Sequence, residues 1–270
     1  MNAARHSGST TATSTQRKVS AVQVVGELFI TISLLLFSFA FYEAYWTNVE
    51  AGKNQDAAAQ QLESEWKKNP REKKVPELGE AFARMYIPAF GSDFQFAIVE
   101  GTSDADLLTG PGHYEESQLP GEPGNFAVAG HRVGKGAPFN DLGQLQECDA
   151  IVVETRTDWH IYRVLPIDAS GATRRAEAAS CFDQQHVAEL SEGRYQGVAG
   201  RHITVPGDYA VVQPVPGQDT AASAPGVGSL MTMTTCHPQF SNAERMIVHA
   251  MLVRSEPKTG DNRPAEFKEG

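Results

Sequence analysis

The hydrophobic and polar positions divide the chain into a long apolar run, a polar stretch and a region of short alternating runs. Residues 19–42 form the apolar run, which carries a single charge, Glu27. Residues 79–255 alternate short runs of β-branched and aromatic residues with Gly, Pro and Asp. The first pattern predicts one membrane-spanning helix, and the second predicts a mostly β domain.

The charges beside the apolar run predict its orientation. Basic residues precede it, whereas acidic residues follow it: Arg5, Arg17 and Lys18 before, Glu43 and Glu50 after. The positive-inside rule then places residues 1–18 in the cytoplasm and the remainder outside. We therefore expect a single-pass protein of the plasma membrane with an extracytoplasmic main domain.

A cleaved signal peptide is the alternative to a retained signal anchor. Ser38 and Ala40 have the small-x-small spacing of a signal peptidase site, but bulky Phe41 and Tyr42 follow directly. The length of the apolar run favours the anchor. Both alternatives export the rest of the chain.

Polar segments flank the β domain. Residues 43–68 are rich in Ala, Gln and Glu, which favours a solvated helical stalk, and residues 69–78 carry two prolines and a charge run typical of a linker. Residues 168–201 are polar and predict an inserted excursion from the domain. The composition of residues 256–270 predicts a disordered tail.

The period-two runs predict the strands of the domain at residues 79–255. Candidate strands are residues 82–87, 94–100, 126–131, 150–155, 160–167, 202–205, 209–212, 229–236 and 245–253. Short helices are expected near residues 104–108, 139–145 and 184–190. Many strands with few helices predict a closed β-barrel of about eight strands.

Charge and cysteine content narrow the classes of function. The formal net charge of −10 opposes binding to phosphate backbones, so a nucleic-acid partner is not expected. The three cysteines, Cys148, Cys181 and Cys236, contain no C-x-x-C pair, so no metal site is expected. Cys148 and Cys181 could form a bridge or stay separate, and the sequence leaves that pairing open.

Cys236 ends the run SLMTMTTC, in which Thr232 and Thr234 share its face of a strand. A thiol at a strand end points into a loop-lined cleft. Arg245 begins the next strand, so pairing of the two strands returns its guanidinium to the thiol, where it can stabilise an oxyanion. The alternatives are a buried structural cysteine and a surface arginine paired with an acid.

Three histidines adjoin Gly or Pro turns and are candidates for proton transfer to and from the thiol. His131 ends the apolar run FAVAGH, His113 lies in GPGHY, and His237 follows Cys236 directly. Position alone does not choose among them.

The sequence resembles the class E sortases of high-GC Gram-positive bacteria. The segments that carry the resemblance are AFARMYIPAFG at 81–91, LLTGPGHY at 107–114, LPGEPGNFAVAGHR at 119–132, PFNDL at 138–142, VPGDYAVVQPVPG at 205–217 and LMTMTTCHPQFSNAERMIVHA at 230–250. They occur in the order of the family. The excursion at 168–201 departs from the family pattern, in which a shorter connection is usual.

The resemblance implies a sortase-like barrel and a cysteine transpeptidase without a cofactor. Cys236 is then the nucleophile, His131 the general acid and base, and Arg245 the oxyanion-stabilising group. The other residues assigned to substrate binding are Tyr114, Thr235, His113 and His237, and Tyr114 matches a family tyrosine linked to alanine at the second position of the sorting signal. The implied partners are LPxTG or LAxTG sorting signals and the amine of a peptidoglycan precursor such as lipid II.

Three alternatives remain beside this interpretation. Another exported Cys/His enzyme, an L,D-transpeptidase or papain-like peptidase, would have a different order or spacing of its Cys and His. A membrane-anchored adhesion or scaffold domain would carry an inert Cys236. A zinc site at Cys236, His237 and His249 lacks a second Cys/His pair.

Overall fold

The computed structural model describes residues 20–70, 75–167, 171–260 and 262–269, and of Glu43 and Ala44 only the backbone. The expected cytoplasmic segment at 1–18 lies outside the described residues. The chain forms two compact units, one ending at Tyr42 and one beginning at Glu43.

The first unit contains one helix, α1 (Ala21–Phe41), which begins where the Ser20 hydroxyl accepts a hydrogen bond from the Gln23 N–H at 3.1 Å. Its mean hydropathy reaches 2.2 and none of its side chains is buried. By length and composition α1 can cross a bilayer, and it is a candidate membrane anchor.

Helix α2 (Thr47–Lys68) follows a π-helical turn at Tyr42–Trp46 and belongs to the second unit. Leu62 and Trp66 pack with Ala81, Ala97 and Val99 of the barrel. The expected solvated stalk is therefore a helix docked on the barrel. The apolar residues of α2 are few, but they recur on one face, and this face is buried. Of the expected linker at 69–78, residues 71–74 lie outside the described part.

Nine strands form one sheet among the described residues. They are β1 (Ala81–Tyr86), β2 (Gln95–Glu100), β3 (Gly112–His113), β4 (Gly124–Ala129), β5 (Ala150–Glu154), β6 (Asp158–Val164), β7 (Arg201–Thr204), β8 (Ser229–His237) and β9 (Glu244–Pro257). The order is β6-β5-β1-β2-β3-β4-β8-β9-β7, and an additional β6–β9 pairing closes an eight-stranded barrel with β7 attached to β9. The predicted barrel is confirmed.

Side chains of alternate residues fill the barrel. Met231 and Met233 of β8 lie fully buried in its core with Phe126, Val128 and Val248, among others. The intervening Thr232 and Thr234 point to the other face of β8, as the period-two pattern predicts. Each fully buried side chain of this size contributes about 1.5–3 kcal/mol relative to exposure, so the alternation fixes which face of β8 points outward.

Some predicted elements differ in the structure. Residues 209–212, expected as a strand, form a 3-10 helix between turns that contain Pro206, Gly207 and Pro214, which leave no room for a strand pairing. The strand Gly112–His113 was not predicted because two residues show no periodicity. The short helices α3 (Asp104–Leu107) and α5 (Gln184–Ser191) are found near their predicted positions, whereas residues 139–145 hold only a 3-10 turn at Leu142–Gln144.

The excursion at 168–201 is a packed unit in its described part, 171–201. It contains α4 (Gly171–Ala179) and α5, and Cys181 forms a disulfide with Cys148 beside β5, with sulfur atoms 2.00 Å apart. Arg174 of α4 is 1% exposed and donates to the carbonyl oxygens of Leu190, Tyr195 and Val198. The disulfide answers the question that the sequence left open.

The tail differs from the disordered segment expected at 256–270. Strand β9 continues to Pro257, and Ala265–Lys268 form a 3-10 turn. Glu266 is 3% exposed, and its carboxylate accepts two hydrogen bonds from Arg254, both of 2.7 Å. The Phe267 ring lies 4.8 Å from that of Tyr86. A charge pair and an aromatic contact, neither visible in composition, hold this segment on the barrel.

The disulfide predicts a measurable contribution to stability. It closes a loop between residues 33 apart in sequence. Replacing both Cys148 and Cys181 by Ser should lower the free energy of unfolding by about 3–4 kcal/mol, because loop closure no longer restricts the unfolded chain. Denaturant titration of the full chain in detergent measures this difference.

The matched control is Cys236→Ser, which replaces a thiol outside the disulfide and should change the unfolding free energy by less than about 1 kcal/mol. Equal stability of the oxidised wild type and the double serine variant would show that the Cys148–Cys181 bond does not form.

Candidate active site

The carboxyl end of β8 lies between two neighbouring strands that bring distant residues together. On one side β8 pairs in parallel with β4, and the last pair is Ala129 with Thr234. On the other side it pairs antiparallel with β9, where Cys236 lies opposite Arg245. Continuing the parallel register by two residues places His131 beside Cys236, and residues two apart on a strand share a face.

Cys236 is the one free cysteine of the chain, since the other two form the disulfide. Its side chain is partly exposed, on the outward face that Thr232 and Thr234 also occupy. The sulfur lies 3.3 Å from Oδ1 of Asn242, which can accept the thiol proton. A thiol in this position is open to an incoming reagent from the loop side of the barrel.

His131 is held to β8 by the residue before it. The Gly130 N–H donates to the Thr234 carbonyl at 3.0 Å, and the Thr235 hydroxyl donates to the Gly130 carbonyl at 2.8 Å. A Cβ at position 130 would lie 2.5 Å from the Phe139 ring, so only glycine fits before His131. These contacts extend the β4–β8 register beyond its last ladder pair.

The His131 ring is partly buried, and its Nε2 has no hydrogen-bond partner among the described residues. Burial lowers the pKa of His131, the Lys135 ammonium lowers it further, and Asp104 partly opposes them. Burial and a neighbouring cation both disfavour the imidazolium, so at neutral pH the free ring is mainly neutral.

Arg245 is anchored by its own loop. Its Nη1 donates to the carbonyls of Glu244 at 2.9 Å and Asn242 at 3.4 Å. These bonds use only part of the five-donor guanidinium and leave donors for another oxygen. The side chain also contributes to the small pocket described next.

Tyr114 and Arg245 line a pocket of about 30 Å³ beside the β8–β9 pair. Its other walls include Val205, Pro206, Tyr209, Val211 and Ile247. The Tyr114 hydroxyl lies 2.9 Å from Oγ1 of Thr234, two residues before Cys236. Burial raises the pKa of Tyr114, whereas its hydrogen bond with Thr234 and the nearby Arg245 oppose the rise. Tyr114 is therefore a neutral phenol that can touch a small side chain.

The structure places the remaining candidates differently. Thr235 is 3% exposed and its hydroxyl is used on Gly130, so its side chain braces the His131 strand instead of facing an open pocket. His113 is 1% exposed, with Nδ1 2.8 Å from Glu100 and Nε2 2.8 Å from the Ser117 hydroxyl. Because its ring is buried and both nitrogens are engaged, this placement gives no support to the assignment of His113 to substrate binding.

His237 follows Cys236 at the end of β8 and contacts Arg132, a residue that the sequence analysis did not single out. Arg132 Nη1 is 2.6 Å from His237 Nδ1 and 3.3 Å from the Cys236 carbonyl oxygen. Arginine only donates, so His237 Nδ1 is the acceptor in this contact. The sequence analysis also did not single out Asn242, whose Oδ1 lies beside the Cys236 sulfur. Arg132 directly follows His131 in the GHR motif, but nothing in the sequence indicates its partner.

Among the described residues, no cluster of three His, Cys, Asp or Glu side chains could hold a metal ion. The groups at this end of β8 are the thiol of Cys236 on β8, the guanidinium of Arg245 on β9 and the imidazole of His131, which follows β4 by two residues. Together they can support nucleophilic acyl chemistry with proton transfer and oxyanion stabilisation.

Comparison with known proteins agrees with this arrangement. The Sortase domain family matches residues 85–253. Sortase SrtE1 of Streptomyces coelicolor is 31% identical over 248 residues, which cover 89% of this chain and 60% of that protein. Sortase SrtE2 of the same organism is 27% identical over 90% of this chain and 87% of its own length.

Solved structures show the same fold. The SrtF sortase of Corynebacterium diphtheriae is 66% identical, with a TM-score of 0.73 over 75% of this chain and 98% of that one. Sortase E1 of Streptomyces coelicolor, solved with a tripeptide in its active site, is 28% identical, with a TM-score of 0.52 over 72% of this chain and 99% of that one. The chain belongs to the sortase family, and class E sortases are among its relatives.

Proposed function

We propose that this protein is a membrane-anchored cysteine transpeptidase that cleaves LPxTG- or LAxTG-type sorting signals between Thr and Gly and joins the acyl part to a peptidoglycan-precursor amine. The observation that carries the proposal is the pairing of Cys236 with Arg245 between β8 and β9, together with the hydrogen bonds of Gly130 to Thr234 and Thr235, which hold the residue before His131 at the same end of β8. Membership of a family of cysteine transpeptidases supports the same reaction.

In the first half-reaction the Cys236 thiolate attacks the threonine carbonyl carbon. The C–N bond to glycine breaks, a thioester forms, and the His131 imidazolium gives its proton to the departing amine. The developing oxyanion accepts hydrogen bonds from Arg245, whose backbone contacts hold it at this position. Arg245 lies directly opposite Cys236 and can therefore reach an oxygen on the attacked carbon.

In the second half-reaction an incoming amine attacks the thioester. His131, now neutral, accepts a proton from the amine, a peptide bond forms, and Cys236 leaves as thiolate. Burial and Lys135 favour this neutral form of His131. The thioester stores the acyl group between the two steps, so the bond energy is retained for ligation.

We place the residues that precede the threonine of the sorting signal against the pocket lined by Tyr114, Val205 and Ile247. Its small volume suits one short aliphatic side chain. The Tyr114 ring beside it supports acceptance of alanine at the second position.

Helix α1 would hold the domain outside the membrane, with the N-terminus in the cytoplasm. The basic residues before α1 and the acidic residues after it support this orientation.

The proposed reaction predicts a thioester intermediate and ligated products, both of which mass spectrometry can detect. The full chain in detergent should convert LAETG and LPETG peptides to a Cys236 thioester, and added glycine or diaminopimelate should receive the acyl group. Cys236→Ala and His131→Gln should each lower kcat by about 10³-fold or more, since each removes a reacting group. Labelling of Cys236 by a methanethiosulfonate reagent tests the accessibility of the thiol.

The matched control is His186→Gln on α5, which makes the same substitution at a ring that contacts Asp183 and should leave the rate unchanged. Full activity of His131→Gln would contradict the proposed role of His131. A Cys236 inert to the reagent, with no conversion of either peptide, would favour a scaffold domain.

The titration of His131 predicts the acid side of the pH–rate profile. The active form needs a thiolate with an imidazolium, and because imidazoles ordinarily titrate below thiols, His131 sets the acid limb. Lys135 lowers the pKa of His131, so Lys135→Gln should raise this pKa and move the acid limb of kcat/KM to higher pH.

Lys135→Arg keeps the positive charge and should leave that limb in place. The measurement is kcat/KM for one peptide between about pH 5 and 9, the range in which His and Cys ordinarily titrate. An acid limb that is identical in wild type and Lys135→Gln would show that His131 does not control it.

A further inference from the structure

The loop after His131 has an unusual backbone. Four consecutive residues lie in the left-handed region, with φ of 63° at Gly134, 52° at Lys135, 79° at Gly136 and 38° at Ala137. Only glycine adopts this region freely, so Lys135 and Ala137 need support from neighbouring structure. The turn is also tied to the histidine, since the Phe139 N–H donates to the His131 carbonyl at 3.0 Å.

The support comes from the first turn of α2, nearly ninety residues earlier in the chain. Asn48 Oδ1 accepts the Gly136 N–H at 3.0 Å, and Thr47 Oγ1 accepts the Lys135 N–H at 3.4 Å. Each of the two hydrogen bonds joins residues that are 88 positions apart in the sequence. Side chains of α2 therefore satisfy two consecutive N–H groups of the left-handed turn.

Close packing adds to these hydrogen bonds. Ala51, one turn further along α2, is 3% exposed. A Cβ at Gly136 would lie 3.3 Å from the Cβ of Ala51, so the helix and the turn approach closely there. With Asn48 and Thr47, Ala51 gives α2 three contacts on the turn.

We propose that the first turn of α2 is a positioning element of the active site, which fixes the 134–137 turn through Thr47, Asn48 and Ala51 and thereby the ring of His131 and the ammonium of Lys135. The inference rests on the proposed role of His131 in catalysis. It adds to that role a part of the chain that precedes the barrel and follows the candidate membrane anchor.

The groups that act on His131 lie on separate elements. Lys135 is on the turn itself and Asp104 is on α3, and these are the charged groups that affect the pKa of His131. Arg132 follows His131 in the chain, and Cys236 is on β8.

Removing the Asn48 or Thr47 contact frees the backbone of the turn, which changes the position of Lys135 and the burial of the ring. Both changes raise the pKa of His131, because its burial and the Lys135 charge are the causes that lower it. The contact of Gln55 with the Thr109 carbonyl, which joins α2 to the segment after α3, is left intact.

The test follows the His131 ring by NMR in the full chain, labelled in its histidine rings, in detergent micelles, with His131→Gln to assign the signal. Asn48→Ala should raise the titration midpoint of His131 and lower kcat roughly tenfold, since misplacing a catalytic group by about 1 Å can cost up to 10²-fold. Asn54→Ala, the same substitution on the same helix, should change neither.

A double-mutant cycle distinguishes positioning from general destabilisation. In a Lys135→Gln background, Asn48→Ala should shift the midpoint less than in wild type, because part of its effect acts through Lys135. Thr47→Val removes the other acceptor without changing shape and serves as the second variant if Asn48→Ala does not fold.

An unchanged His131 midpoint in a folded Asn48→Ala or Thr47→Val chain would overturn the inference. The ring titration needs no turnover, so its outcome is independent of the transpeptidase proposal. Peptide cleavage retained by His131→Gln would remove the proposed catalytic role of His131, whereas the ring titration would still test whether α2 positions the 134–137 turn.

Discussion

The site depends on one constraint, the pairing of β8 with a parallel strand on one side and an antiparallel strand on the other. Parallel pairing with β4 brings His131 to the end of β8, and antiparallel pairing with β9 brings Arg245 opposite Cys236. Burial of Met231 and Met233 inside the barrel fixes the face on which Cys236 lies. A slip of one residue would turn the thiol into the core, so the same packing that stabilises the barrel also sets the chemistry.

Electrostatics then adjusts a site that the backbone has assembled. The imidazole of His131 is partly buried and feels the charge of Lys135, and both causes favour its neutral form. In the proposed reaction the neutral ring accepts a proton from the incoming amine, whereas the imidazolium is needed to release glycine. One ring can serve both steps only if the free-energy difference between its neutral and protonated forms is small. Asp104 works in the opposite direction to Lys135 and keeps the imbalance moderate. Lys135 and Asp104 therefore have opposite effects on the pKa of His131, which releases a proton in one proposed half-reaction and accepts one in the other.

Short-range pattern predicted the barrel, because alternation along a strand is a local property. The choice of His131 among the three histidines near turns came from the resemblance to the sortases, and the catalytic roles of His131, Cys236 and Arg245 stay predictions. Contacts between distant residues were not visible. The disulfide, the Glu266–Arg254 pair and the contact of Arg132 with His237 each join segments whose spacing carries no signal. His113 looked like a site residue beside glycine, but Glu100 and Ser117 bind its ring inside the protein.

Helix α2 shows why composition is a weak guide to burial. Its few apolar residues indicated a solvated stalk, yet Leu62 and Trp66 are enough to dock one face on β1 and β2. A docked helix has its polar side chains at defined positions, and Asn48 can then bind a backbone that a free stalk could not reach. Since a left-handed turn of non-glycine residues is unfavourable without partners, the loop after His131 and the start of α2 require each other. Helix α2 therefore belongs to the same folded domain as the candidate active site, because Thr47 and Asn48 bind the backbone of the loop after His131.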